Sequence, residues 1–128
     1  MTQATGKIIF QLIVAALPLT FSMWALAKSP DCTHPDAWPS GMAFAQMKNA
    51  GFVDNDVLDF TKTKVIRLAS EKISKDVYRQ VHLVHFIKKS GEQVDAITVN
   101  EVSHQECSMS DVGVYVVSRR LGNYPKEK

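Results

Sequence analysis

The chain has few of the residue patterns on which enzymes and nucleic-acid-binding proteins are built. Its 128 residues contain no Gly-x-Ser-x-Gly elbow, no His-Glu-x-x-His and no glycine-rich phosphate loop, which leaves nucleophilic hydrolase, zinc-protease and nucleotide-binding chemistry without their usual carriers. A cationic stripe is missing too. The 15 Lys and Arg are dispersed among 13 Asp and Glu, with adjacent pairs only at Lys88-Lys89 and Arg119-Arg120. Neither nucleic acid nor an anionic membrane surface is therefore an expected partner. The acidic stretch Asp54, Asn55, Asp56 and Asp59 lacks the bend glycine and distal glutamate of a calcium loop. It reads as a solvated connection or a single helical turn. Cysteine is scarce, with only Cys32 and Cys107.

Only one long hydrophobic run occurs, and it lies at the start. Lys7 precedes an apolar stretch over residues 8–21, broken by Gln11, Pro18 and Thr20, and Ala25-Leu26-Ala27 follows. A weakly positive start, an apolar centre and a small-x-small tripeptide are the three parts of an export signal. Residues 1–27 are expected to be cleaved, leaving residues 28–128 as one exported domain. The competing reading is a retained anchor, because residues 8–27 approach the roughly 20 residues that span a bilayer. Pro18, between the apolar run and the tripeptide, favours cleavage. No cysteine follows at the position a lipoprotein signal requires. The expected location is periplasmic or secreted, with membrane association only if the segment is retained.

After cleavage about 100 residues remain, enough for one core. All 13 acidic residues lie there and only Lys7 of the 15 basic ones is lost, so the net charge is about +1. Export puts both cysteines in an oxidising compartment, which predicts a Cys32–Cys107 disulfide. It would close a loop of about 75 residues, and chain entropy credits a loop of that size with about 4 kcal/mol.

The order of elements follows from breakers and periodicity. Residues 28–38 read as an extended lead-in. Pro39 and Ser40 start a helix over residues 41–50, Gly51 stops it, and Asp36 is a candidate cap for an earlier start. Phe44, Met47 and Gly51, with Ala43 and Ala50 beside them, form an apolar stripe. Past residue 62 the composition turns to Val, Ile, Thr and Tyr, with strands predicted over residues 64–73, 77–88, 93–102 and 112–121. Short connections between the first three predict antiparallel neighbours. The predicted class is α+β: one N-terminal helix packed on a four-stranded antiparallel β-meander, stapled by one disulfide.

Alternation along residues 77–88 divides two faces, and both carry bulk. Val77, Arg79, Val81, Leu83, His85 and Ile87 share one; Tyr78, Gln80, His82, Val84, Phe86 and Lys88 share the other. A single helix covers one face, so an apolar patch including Tyr78, Val84, Phe86 and Tyr115 is expected on the other. Exposed apolar patches mark partner surfaces. Tyr78, Phe86, Tyr115 and Arg119 are the expected partner-binding anchors, since hot spots favour Tyr and Arg.

Metal and catalytic readings are weaker. His82 and His85 are three apart on a strand and point to opposite faces, so they cannot share an ion. The disulfide would gather His34 and His104 into a candidate histidine pair, and reduced thiols would complete a two-Cys, two-His set. An oxidising compartment argues against that set. Glu71, Asp95, Glu101 and Glu106 include no pair that spacing selects for glycoside chemistry. No enzyme activity and no cofactor are expected.

A small exported domain with one staple and no catalytic motif suits the presentation of a rigid surface. Its general plan resembles that of small periplasmic immunity proteins and inhibitors of cell-wall enzymes, which cover the active site of a toxin or hydrolase. That resemblance implies an inhibitor whose partner is an exported toxin or envelope enzyme. The alternatives are a small-molecule or peptide carrier, with Trp38, Phe44, Phe60 and Phe86 lining a pocket, and an accessory subunit that accepts a strand at its sheet edge.

Overall fold

The computed structural model describes residues 28–117. Helix α1 (Trp38–Asn49) is followed by a 3₁₀ turn (Phe60–Lys62) and four strands, β1 (Lys64–Ser74), β2 (Val77–Ile87), β3 (Gln93–Val102) and β4 (Gly113–Val117). The strands form one antiparallel sheet in the order β1-β2-β3-β4. The expected meander is therefore present. The helix is not N-terminal in the chain, since ten described residues of lead-in precede it. The expected cleaved signal, residues 1–27, and Arg119 lie outside the described residues, as does the end of the predicted fourth strand. Among the described residues no helix is long and apolar enough to cross a membrane.

The helix begins three residues before the predicted start, with Pro39 in its first turn, where a missing N–H costs nothing. Asp36 does not cap it. Ala37 is the N-cap and offers no side-chain acceptor, while the buried Ser40 hydroxyl donates to the Pro35 carbonyl at 2.7 Å and ties the first turn to the lead-in. At the other end Gly51 adopts φ 79°. Its N–H donates to the Lys48 carbonyl at 3.0 Å and that of Phe52 to the Met47 carbonyl at 2.9 Å. This Schellman closure needs the left-handed conformation that glycine adopts freely.

The helix packs over β3 and β4 and touches β2. Ala43 and Met47 join Val53, Leu58, Val84, Phe86 and Ala96 in the main core, with Phe44, Val65, Val94, Val114 and Val116 at its margin. The loop after the helix is pinned to the sheet by backbone bonds from Asp59 N–H to the Ile87 carbonyl and from Lys89 N–H to the Val57 carbonyl, both 2.8 Å. That brings Leu58 into the core. A second cluster, Cys32, Tyr78 and Val102, with Cys107 beside it, sits at the far end of the same sheet face.

One face of β2 is thus fully buried from Tyr78 to Phe86, and the other is half-exposed. This corrects the expected patch. Tyr78 is 5% and Phe86 2% exposed, whereas Tyr115 is 63% exposed. Tyr78 and Phe86 cannot anchor a partner, because they lie on the face that the helix and the lead-in cover. Phe86→Ala should accordingly cost about 3–5 kcal/mol in urea unfolding, whereas Tyr115→Ala should stay within about 0.5 kcal/mol. Equal losses would mean that both faces are packed.

Candidate functional site

The face of the sheet that the described residues leave uncovered carries a continuous apolar belt. Register sets its rows. Ile66, Leu83, Ile97 and Tyr115 lie abreast across the four strands, and Ala69, Val81, Val99 and Gly113 form the next row. A register shift between Arg67 and Ala69 inserts Leu68 beside that second row. Ile66, Leu68, Tyr115 and Val117 are 46%, 53%, 63% and 41% exposed. Charged rows close the belt at both ends. On one side Glu71, Arg79 and Glu101 lie abreast, with Arg79 3.3 Å from Glu101. On the other, Lys64, His85 and Asp95 do so, with Val117 completing the row on β4 and His85 Nδ1 2.7 Å from Asp95. An apolar centre with a polar rim is the usual anatomy of a protein interface.

Of the expected anchors among the described residues, only Tyr115 stands on this face. Ile66, Leu68, Leu83, Ile97 and Val117 were not among them. Their signal was in the sequence, as the strand face shared by Val81 and Leu83 with Arg79 and His85. Two of the four carboxylates considered for catalysis, Asp95 and Glu101, are here engaged by His85 and Arg79.

The disulfide corner is built as the cysteine count predicts. Cys32 and Cys107 are bonded across 75 residues with Cα atoms 5.8 Å apart. Beside them a groove of about 550 Å³ is lined by residues 28–31 and 103–107. His104 is its most engaged side chain. Nδ1 bonds to the Asp76 carboxylate, Nε2 donates to the Lys28 carbonyl at 2.6 Å, and the ring meets Tyr78 edge-on with centroids 5.4 Å apart. Both nitrogens face acceptors, an arrangement that favours the doubly protonated ring. The hydrogen bond to Asp76, then that to the Lys28 carbonyl, raises the His104 pKa, and the same contact lowers that of Asp76.

The candidate metal pair is corrected by this geometry. Both His104 nitrogens are engaged by the Asp76 carboxylate and the Lys28 carbonyl, and His34 is not in the groove lining but lies in solvent 3.4 Å from Asp36. Among the described residues no group of three His, Cys, Asp or Glu is placed to hold a metal ion.

Between the two apolar clusters of the covered face runs a polar seam. His82 pairs with Arg67 and Thr98 across the strands, and Gln80 with Ser70 and Asn100. The Pro30 carbonyl of the lead-in caps it, accepting from Gln80 Nε2 at 2.8 Å and Arg67 Nη1 at 2.7 Å. His82 is fully buried and its ring nitrogens meet no protein partner. Burial, with the Arg67 charge adding to it, pushes its pKa down to about 4.

The aromatic pocket expected for a carrier is small. Phe44 packs edge-on against Phe60 at 5.0 Å and tilted against Phe86 at 6.4 Å, leaving a cleft of about 240 Å³ whose lining does not include Trp38. Ligand pockets usually hold about 300–1,000 Å³.

The two histidines carry opposite pH dependences. His104, with a raised folded pKa, contributes stability in full below about pH 6.5 and loses it as pH rises through the folded value. His82 is kept neutral, so stability falls as pH drops from about 6.5, where the unfolded ring takes a proton, toward 4. In an NMR titration the His104 ring should move above the ordinary histidine range and the His82 ring should stay flat down to about pH 5. A His82 ring titrating near pH 6.5 would mean that the seam is open to water. Reduction of the disulfide should lower the unfolding free energy by about 4 kcal/mol in matched urea titrations. An unchanged midpoint would contradict the role assigned to the staple.

No family model, no curated protein and no solved structure matches this chain.

Proposed function

We propose that this protein is a small protein-binding domain, an immunity protein or inhibitor that neutralises an exported toxin or a cell-envelope hydrolase. The observation that carries the reading is the bare apolar belt of the sheet, from Ile66 and Leu68 across Leu83 and Ile97 to Tyr115. Hydrophobic burial is worth about 25 cal/mol per Å² of apolar surface removed from water. A face of this kind therefore gains by being covered, and a solvated domain that leaves it bare has a use for it. The charged rows at both ends fit a rim that sets orientation, while Tyr115 supplies a large amphipathic anchor. The sheet itself is rigid, pinned by the core on its other side, so little ordering cost accompanies binding.

The compartment belongs to the same proposal. An exported domain meets toxins and wall hydrolases, and a disulfide is stable where they act.

Affinity capture from an envelope extract, run in parallel with the unaltered protein and a Leu83→Asp variant, tests this reading. The unaltered protein should retain one exported enzyme or toxin in stoichiometric amount and suppress its activity, and the variant should do neither. Tyr115→Ala should weaken the complex by about 1–3 kcal/mol without lowering the unfolding midpoint. Retention unaffected by either change would place recognition elsewhere on the molecule.

A further inference from the structure

The bare face has a symmetry that its residues make visible row by row. Across β2 and β3 the rows read Arg79 beside Glu101, Val81 beside Val99, Leu83 beside Ile97, and His85 beside Asp95. In each row a residue is matched by one of complementary charge or similar apolar bulk. A two-fold axis lying between two such faces and running along the strands, midway between β2 and β3, sets β2 of one copy over β3 of the other, row for row. Arg79 of each copy then lies opposite Glu101 of the other, and His85 opposite Asp95. Leu83 meets Ile97, and Val81 meets Val99. On the outer strands Tyr115, whose ring lies alongside Gly113, meets Ile66 and Leu68.

The other in-plane axis, across the strands, is disfavoured by the same rows. It would set the Glu101 and Asp95 carboxylates against each other and Arg79 against the His85 ring. Only the axis along the strands sets Arg79 against Glu101 and His85 against Asp95 on the two central strands, with Lys64 on the outer strand opposite Val117.

We infer that, in the absence of another partner, this face is covered by a second copy of the chain, packed sheet on sheet about the two-fold axis along β2 and β3. The inference rests on the reading of the bare face as a protein-recognition surface, and it adds what holds that surface in the free protein. Sheets stacked face to face lie about 10 Å apart, a gap that Arg and Glu side chains close from both sides. Aligned packing with a twist of about 30° preserves the row pairing near the axis. Such an interface is isologous, so it closes at two copies.

Its size sets its strength. Four strands about 4.8 Å apart, over the nine residues of β2 from Arg79 to Ile87 at about 3.3 Å each, present on the order of 500 Å² in projection per copy. That lies at the low end of specific interfaces. The pair is accordingly weak and reversible, strong enough to cover the belt at high concentration and weak enough for a tighter partner to displace.

Sedimentation of the purified protein over a wide concentration range tests the inference. A concentration-dependent monomer–dimer equilibrium is expected. Arg79→Glu makes both residues of the Arg79–Glu101 pair negative in each copy, and Glu101→Arg makes both positive, so each variant alone should self-associate at least about tenfold more weakly. Mixed in equal amounts, the two should form a heterodimer at about the strength of the unaltered pair. Thermal unfolding of each variant separates a lost interface from a lost fold, and the exposed Arg79–Glu101 pair contributes little to folding. A protein that is monomeric at every concentration overturns the inference, as does a dimer indifferent to both reversals or a mixture that fails to associate. A monomer whose Tyr115 resists surface labelling also overturns it, because other residues of the same chain then cover the face. The proposed function fails or stands separately. A monomer that still captures an exported enzyme through Leu83 sinks only the dimer. A dimer restored by mixing, in a protein whose enzyme capture ignores Leu83→Asp, sinks only the recognition reading.

Discussion

The bond between Cys32 and Cys107 holds a lead-in with no regular structure across the end of the sheet, and the covered face depends on it. The helix reaches only part of that face, over β3, β4 and the Phe86 end of β2. The rest is closed by residues around Pro30 and Cys32, which cap the polar seam and bury Tyr78 and Val102. Without the staple, this lead-in would have few apolar contacts with which to offset its own ordering entropy. The His104 ring adds a polar fastening at the same corner, joining Lys28 to the β1–β2 turn at Asp76.

Among the described residues, nothing covers the other face of a sheet closed by these two short pieces. Its open rows carry Leu83, Ile97, Val81 and Val99 at the centre, with Ile66 and Tyr115 at the edges. The polar residues are placed with an inversion. Gln80, His82, Thr98 and Asn100 are buried, while several of the larger aliphatic side chains are exposed. Stability alone gains nothing from that exchange, since buried polar groups cost free energy unless they are hydrogen-bonded. On the proposed function, the exchange keeps the apolar belt available for contact with a protein partner.

Much of the architecture was legible in the sequence. Pro39 and Gly51 bracket a helix because one accepts a helix start and the other a left-handed stop, and the structure puts them at those positions. Breaker spacing located the first three strands to within a residue, and the cysteine count found the staple. The side of the sheet that is covered was not legible. Along residues 77–88 both alternating sets carry bulk, and the set that turned inward contains Gln80 and His82, which composition alone assigns to the surface. Two tertiary facts decide the matter. Ala43 and Met47 of the helix pack on the Val84 and Phe86 end, and the disulfide draws Cys32 onto Tyr78 and Val102. Both ends of the same face are thereby claimed, so Tyr78 and Phe86 are core residues and Tyr115 remains outside.

Among the described residues the sheet is closed on one face and open on the other, and the chain provides matched internal probes of that difference. Tyr115 and Met109 are exposed, whereas Tyr78 and Met47 are buried. Hydroxyl-radical footprinting read by mass spectrometry, at concentrations low enough to keep the chain monomeric, compares like side chains directly. The account predicts rapid modification of Tyr115 and Met109 and strong protection of Tyr78 and Met47. Protection of Tyr115 equal to that of Tyr78 would contradict it.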